Sequence, residues 1–136
     1  MAVSIVTTSV PHKTEIRVRT HVAITDATAA AGGGDTAPTP HELFHGSIGA
    51  CVAITLGIRA QKKGYDLKKV TVTVTKTLVD DPNDASKKIP LLTQDVVLEG
   101  KLSDAELADL ESAAKTCPVH REYAEPKLTK TSVTRV

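Results

Sequence analysis

Pro40-His41-Glu42-Leu43-Phe44-His45-Gly46-Ser47-Ile48-Gly49-Ala50-Cys51-Val52-Ala53-Ile54-Thr55-Leu56-Gly57-Ile58-Arg59-Ala60-Gln61-Lys62-Lys63-Gly64 is the stretch that decides the fold. Proline is pre-shaped for a first helical turn, and glycine just after two lysines suits a left-handed helix end. The stretch therefore predicts one helix from Pro40 to about Lys63, stopped at Gly64. Phe44, Ile48, Cys51, Thr55 and Ile58 recur at spacings of four, three, four and three, the stripe of a helix packed along another helix. Val52, Ile54 and Leu56 widen the apolar surface beyond one seam, which predicts a helix almost wholly buried. Gly46, Gly49 and Gly57 each cost about 1 kcal/mol relative to alanine inside a helix, so a packing or access reason is expected for them.

Working outward, the residues before the helix read as extended chain from Val3 to Thr28. Glu15 to Arg19 and His21 to Thr25 alternate polar and apolar residues, as half-buried strands do. Between them and the helix, Ala31-Gly32-Gly33-Gly34-Asp35-Thr36-Ala37-Pro38-Thr39-Pro40 is a loop, long enough to suspect of function. It is not a phosphate-binding loop, because no Gly-Lys-Ser/Thr follows the glycines. After Gly64, Val70 to Thr75 is strict β-branched alternation, Asp80 to Asp84 is a turn, and Leu92 to Glu99 is a returning strand. Ser103-Asp104-Ala105-Glu106 is a capping box launching a short helix through Leu107, Leu110 and Ala114. Cys117-Pro118 starts another turn of helix, and Lys127 to Val136 alternates as a final strand. The order predicts a single α+β domain over residues 1–136 with mainly antiparallel sheet.

Composition narrows the function. Seventeen basic residues stand against sixteen acidic ones, and the aromatic residues are Phe44, Tyr65 and Tyr123. Neither a basic stripe nor a stacking platform is present, which argues against a nucleic-acid partner. No uninterrupted run reaches the roughly 18 apolar residues of a membrane span, and the first residues lack a basic n-region followed by an apolar core. A cytoplasmic protein with its two cysteines as thiols is the expectation.

Those cysteines, Cys51 and Cys117, lie 66 residues apart (117 minus 51), so only tertiary structure can join them. From position alone Cys51 is a small hydrophobe on an apolar seam. Cys117 sits at a helix start, where free N–H groups favour a thiolate and His120 is within a turn. A poor helix cap is the plainer reading of Cys117. His41-Glu42-Leu43-Phe44-His45 also spells the H-E-x-x-H pattern of zinc hydrolases, with His12, His21 and His120 as loosely spaced third-ligand candidates.

Pro40-His41-Glu42-Leu43-Phe44 followed by Ile48-Gly49-Ala50-Cys51 resembles the "P-x-E-L-L … L-G-A-C" signature of the OsmC/Ohr superfamily of thiol peroxidases, nearer its OsmC-like branch. Lys62-Lys63-Gly64-Tyr65-Asp66-Leu67 is similar to that family's "R-K-G-W-P-L", and Cys117-Pro118-Val119-His120-Arg121 to its "C-P-V-H-R". The resemblance implies antiparallel sheets wrapped around long central helices in an intertwined homodimer. It also implies a peroxidase acting on organic hydroperoxides, with hydrogen peroxide as a further candidate substrate, Cys51 as attacking thiol and Cys117 as resolving thiol through a Cys51–Cys117 disulfide. Glu42 would be the carboxylate beside them, and Arg17, Arg19 or Arg121 the thiolate-holding arginine. No cofactor is implied beyond an external dithiol reductant. A zinc hydrolase built on His41 and His45, and a non-catalytic dimer that binds an apolar ligand, are the alternatives.

One geometric expectation follows. Glu42 and Cys51 are nine positions apart (51 minus 42), which at about 100° per residue puts them on opposite faces of a straight helix. A joint site then needs a helix break near Gly46, or residues from two chains.

Overall fold

A computed structural model describes residues 4–7, 12–125, 128 and 130–135. The elements are β1 (Ser4–Thr7), β2 (Thr14–Val18), β3 (His21–Thr25), α1 (Pro40–Lys63), β4 (Asp66–Asp81), β5 (Asp84–Lys101), α2 (Asp104–Ala114) and α3 (Pro118–Ala124), with a 3-10 turn at Ala29–Ala31. This is the expected α+β order with antiparallel sheet. The chain forms two compact units: residues 1–47 with 74–92, and residues 48–73 with 93–136.

In the first unit β1, β2 and β3 make an antiparallel sheet in sequence order, with Ile5 opposite Ile16 and Ile16 opposite Ala23. Val3, at the start of the expected extended segment, and residues 8–11 lie outside the described residues. The suspected loop after β3 is tied to one buried carboxylate, Asp26, which is 2% exposed. Its Oδ1 accepts from the Ala27 amide at 2.8 Å, and its Oδ2 accepts from Thr36 Oγ1 at 2.8 Å and the Thr36 amide at 3.1 Å. Gly33 has no room for a side chain, since a Cβ there would stand 2.2 Å from the Ala27 carbonyl oxygen.

Helix α1 opens on a capping box that pairs Thr39 with Glu42. The Thr39 amide donates to Glu42 Oε2 at 2.8 Å and the Glu42 amide to Thr39 Oγ1 at 3.3 Å. It closes as expected on Gly64, at φ 72°, with the Tyr65 amide on the Ala60 carbonyl and the Gly64 amide on the Gln61 carbonyl. The helix runs unbroken through Gly46, which removes the helix break and leaves the two-chain alternative. Nothing lies within 4 Å of a Cβ built at Gly46 or Gly57, so neither glycine serves a close approach within this chain.

The burial of α1 also differs from expectation. Its buried stripe is Ile48, Val52, Leu56 and Ala60, one residue every four, rather than the seam from Phe44 to Ile58. Phe44, Ile54 and Ile58 are 42%, 62% and 48% exposed, so the helix is not wholly buried in one chain. The reason is geometric: one chain supplies cover for one face of the helix. Though no run of the sequence is continuously apolar for that length, α1 is long and apolar enough by length and composition to cross a membrane. Here its Val52, Leu56 and Ala60 join the interior of the second unit.

That interior is completed by Leu110 from α2 and by Cys117, both fully buried. Val70 and Val72 of β4, and Val96 and Leu98 of β5, pack onto it from alternating inward positions, as the β-branched pattern predicted. Gly100, at φ 151°, lies so near the Asp66 carbonyl that a Cβ would stand 1.9 Å from its oxygen, so the base of the hairpin requires glycine. The α2 capping box forms as predicted, Ser103 Oγ accepting from the Glu106 amide and Glu106 from the Ser103 amide.

The expected last strand is not found. Residues 128 and 130–135 carry no strand, while Lys127, Thr129 and Val136 of that segment lie outside the described residues. Leu128 and Val133 are almost wholly exposed. Alternation supplies one apolar face, but a strand forms only where an edge accepts its hydrogen bonds.

Candidate functional site: a buried thiol pair

The fold brings Cys51 and Cys117 together. Both are free thiols, Cys117 fully buried and Cys51 partly so, in one apolar cluster with Val52, Leu110 and Val119. Cys51 lies one helical turn before Thr55 on α1. Cys117 occupies the N-cap position of α3, preceding Pro118. Its sulfur faces the amides of Val119 and His120 without closing a conventional side-chain cap.

The hydrogen bonds are unequal. Burial pushes the Cys51 thiol up, but hydrogen bonds from the Cys117 thiol, the Val119 amide and the Thr55 hydroxyl together bring it below an ordinary cysteine. Cys117 moves the other way. Burial raises it first, the hydrogen bond to Cys51 and that sulfur's charge raise it further, and the His120 and Val119 amides only partly offset this. The two thiols titrate as an interacting pair, with Cys51 lowered and Cys117 raised.

Around the pair, His120 Nδ1 meets Gln94 Nε2 of β5 at 3.1 Å, tying α3 to the hairpin. Gln94 Oε1 is buried without a hydrogen-bond partner. On α1, Arg59 grips Asp109 of α2 with Nε at 2.9 Å and Nη2 at 2.5 Å, and Tyr65 donates to the same carboxylate at 3.0 Å. Asp109 is held down to about 2, chiefly by Arg59. This clamp joins residues up to 50 positions apart, and no sequence pattern announces it. Thr55 and the Thr39–Glu42 box were legible: the first from i, i+4 spacing to Cys51, the second from Thr-x-x-Glu.

Each of the other predicted site residues has its own local setting. Glu42 is the capping carboxylate, and the Thr39 amide and hydroxyl lower it. Arg17 pairs with Glu15 on β2, and its side chain is 53% exposed. Arg19 is an exposed turn residue at φ 55°, and Arg121 is exposed on α3. His41 and His45 have ring centroids 6.5 Å apart. Among the described residues no three His, Cys, Asp or Glu side chains converge as a metal ion would need, so the zinc-hydrolase pattern lacks its third ligand.

Residues 32–130 match the family model described as OsmC-like protein. The chain belongs to the OsmC-like family. Solved structures share its fold. A Psychrobacter arcticus protein whose name links it to osmotic stress and detoxification matches with TM-score 0.72 and 23% identity, over 90% of this chain and 87% of the other. An OsmC-like protein of Mycoplasma pneumoniae matches with TM-score 0.71 and 15% identity, over 90% and 85%. The organic hydroperoxide resistance protein OhrB of Bacillus subtilis matches with TM-score 0.62 and 20% identity, over 91% of both chains. No curated protein matches the sequence. At these identities the likeness establishes the OsmC-like fold, and the function has to be argued from the thiols.

Proposed function

We propose that this OsmC-like protein is a two-cysteine peroxidase that reduces organic hydroperoxides. The observation that carries the reading is the pair of free thiols, Cys51 and Cys117, brought together in one apolar cluster. The Cys51 thiolate attacks the distal oxygen of ROOH. The O–O bond breaks, its electron pair leaves on RO⁻, which takes a proton as ROH, and Cys51 becomes a sulfenic acid. Cys117 then attacks the Cys51 sulfur, the S–O bond breaks, and hydroxide leaves and takes up a proton as water. The products are ROH, water and a Cys51–Cys117 disulfide, which an external dithiol reduces. Names of several structural relatives point the same way, since they are organic hydroperoxide resistance proteins.

A homodimer belongs to this proposal. Ile54 and Ile58 leave an apolar stripe of α1 exposed in one chain, as a helix with a second helix to meet would. Because α1 is unbroken, periodicity keeps Glu42 and Cys51 of one chain on opposite faces. In this reading Glu42 serves the thiol site of a partner chain, with Arg17 or Arg19 as the arginine that the family resemblance implies. A reducing, cytoplasmic setting suits two free thiols and is part of the same reading.

The test is one equivalent of an organic hydroperoxide added to reduced protein, followed by intact-mass and thiol analysis. Loss of two hydrogens with both thiols consumed is the expected result. Unchanged mass with both thiols still titrating would sink the peroxidase.

A further inference from the structure

We propose that Gln94 and His120 are positioning residues for the resolving step, seating α3 so that the Cys117 sulfur is aimed at Cys51. The inference rests on the two-cysteine reading above and names what sets the rate of its second step. Within α3 the half-buried residues are Val119 and His120, and the others are exposed. Val119 packs on the apolar cluster, and His120 Nδ1 meets Gln94 Nε2 at 3.1 Å. An amide nitrogen only donates, so Nδ1 is the acceptor. Cys117 is not held by its own helix, since its side chain closes no cap hydrogen bond. Its aim is therefore set by how α3 is seated, and His120 lies three positions on, along the same side of the helix.

Packing does not explain an amide at position 94. Gln94 stands in the inward row of β5 with Val96 and Leu98, both apolar. Its Oε1 is buried and unpartnered, which costs stability that a leucine of similar size would not. The hydrogen bond to His120 is what the glutamine supplies and a leucine could not. Aim matters because disulfide closure is exacting: the sulfurs must come within about 2.05 Å at a dihedral of roughly 90°.

Closure can be read without peroxide, using an aromatic disulfide reagent with a coloured leaving thiolate. Cys117 is 0% exposed, so the reagent reacts first at Cys51. The Cys51 thiolate attacks it, one coloured thiolate leaves, and a mixed disulfide remains on Cys51. Cys117 then loses its proton to buffer and attacks the Cys51 sulfur, and the second coloured thiolate leaves. Both releases are timed in wild type, Gln94→Leu, His120→Ala, the double variant, and His120→Asn, which keeps an acceptor near the place of Nδ1. Each of Gln94→Leu and His120→Ala should slow the second release by about threefold to tenfold, the range one hydrogen bond sets, and leave the first within about twofold. The double variant should be no slower than the slower single, because the two residues act as a unit, and His120→Asn should stand nearer wild type. A second release at the wild-type rate in both singles overturns the proposal. Equal slowing of both releases also overturns it, as the mark of a loosened fold, and so does a double variant slowed by the product of the singles. The reagent replaces peroxide, so a protein inert to hydroperoxide can still pass, and an active peroxidase can still fail.

Discussion

Asp26 and Cys51 are both acids surrounded by hydrogen-bond donors, and they differ in where those donors come from. Asp26 takes its donors from Ala27, Gly34 and Thr36, all within ten residues, so one short loop folds onto one carboxylate. Cys51 takes one donor from its own helix and two from residues 117 and 119, brought there by a hairpin and a second helix. In each case donors favour the charged form against burial. Asp26 is held down to about 2, chiefly by the Thr36 hydroxyl, and its charge does structural work. Cys51 is left partly exposed, within reach of a reactant. A local cage makes a fixed point, while a cage assembled from remote segments makes a site that the rest of the fold can set.

The sharpest way to break this contrast is at the reacting atom. Cys51→Ser should reduce dithiol-dependent consumption of an organic hydroperoxide to background while leaving the melting temperature close to wild type. Turnover equal to wild type would remove Cys51 from the chemistry and leave it a core residue.

Next in size is the local cage. Asp26→Ala leaves the Thr36 and Ala27 amides without their acceptor and should lower the melting temperature by several degrees, read by thermal denaturation. The pH dependence has a definite sign. The native carboxylate, at about 2, lies below its ordinary 3.8, so its contribution is fully present above pH 3.8 and is lost as pH falls through about 2. The difference in melting temperature between wild type and Asp26→Asn should therefore narrow over that window. A difference constant down to pH 2 would show that the charge of Asp26 is not what holds the loop.

A smaller loss is expected from Asp109→Ala, which frees Arg59 and Tyr65. Arg59 is 42% exposed, so water screens the pair and its effect on stability should fall below that of Asp26→Ala. Disulfide formation after peroxide should slow more than sulfenic acid formation, since α2 leads into Cys117. Rapid-quench mass analysis reads the two steps separately, and equal slowing would place the clamp's effect on the whole unit.

The smallest change in stability should come from Glu42→Gln, because glutamine can still complete the capping box with Thr39. A melting temperature near wild type combined with slower peroxide consumption would assign Glu42 to the thiol site of a partner chain. An unchanged rate would leave it a helix cap alone.

Much of this was legible in the sequence because it depends on neighbours in the chain. The span of α1 follows from Pro40 and Gly64, the α2 capping box from Ser103 and Glu106, and the strands from alternation of β-branched residues. Local geometry obeys local chemistry, and a periodic pattern states which face is apolar. What covers that face is a separate matter. The helix expected to be wholly buried is covered on one side, and the alternating segment after Lys127 finds no edge within the described residues.

The candidate site divides along the same line. The sequence by itself determined that there were two cysteines, one mid-helix and one at a helix start, within motifs of the OsmC-like family. Only the tertiary structure decided that the two thiols lie together in one apolar cluster, Cys117 fully buried and Cys51 partly so. It also decided that Glu42 caps its own helix and that Arg59 closes on Asp109. The physical reason is that a thiol's acidity depends on burial and on donors within hydrogen-bond reach, and 66 positions of chain (117 minus 51) carry no record of that distance.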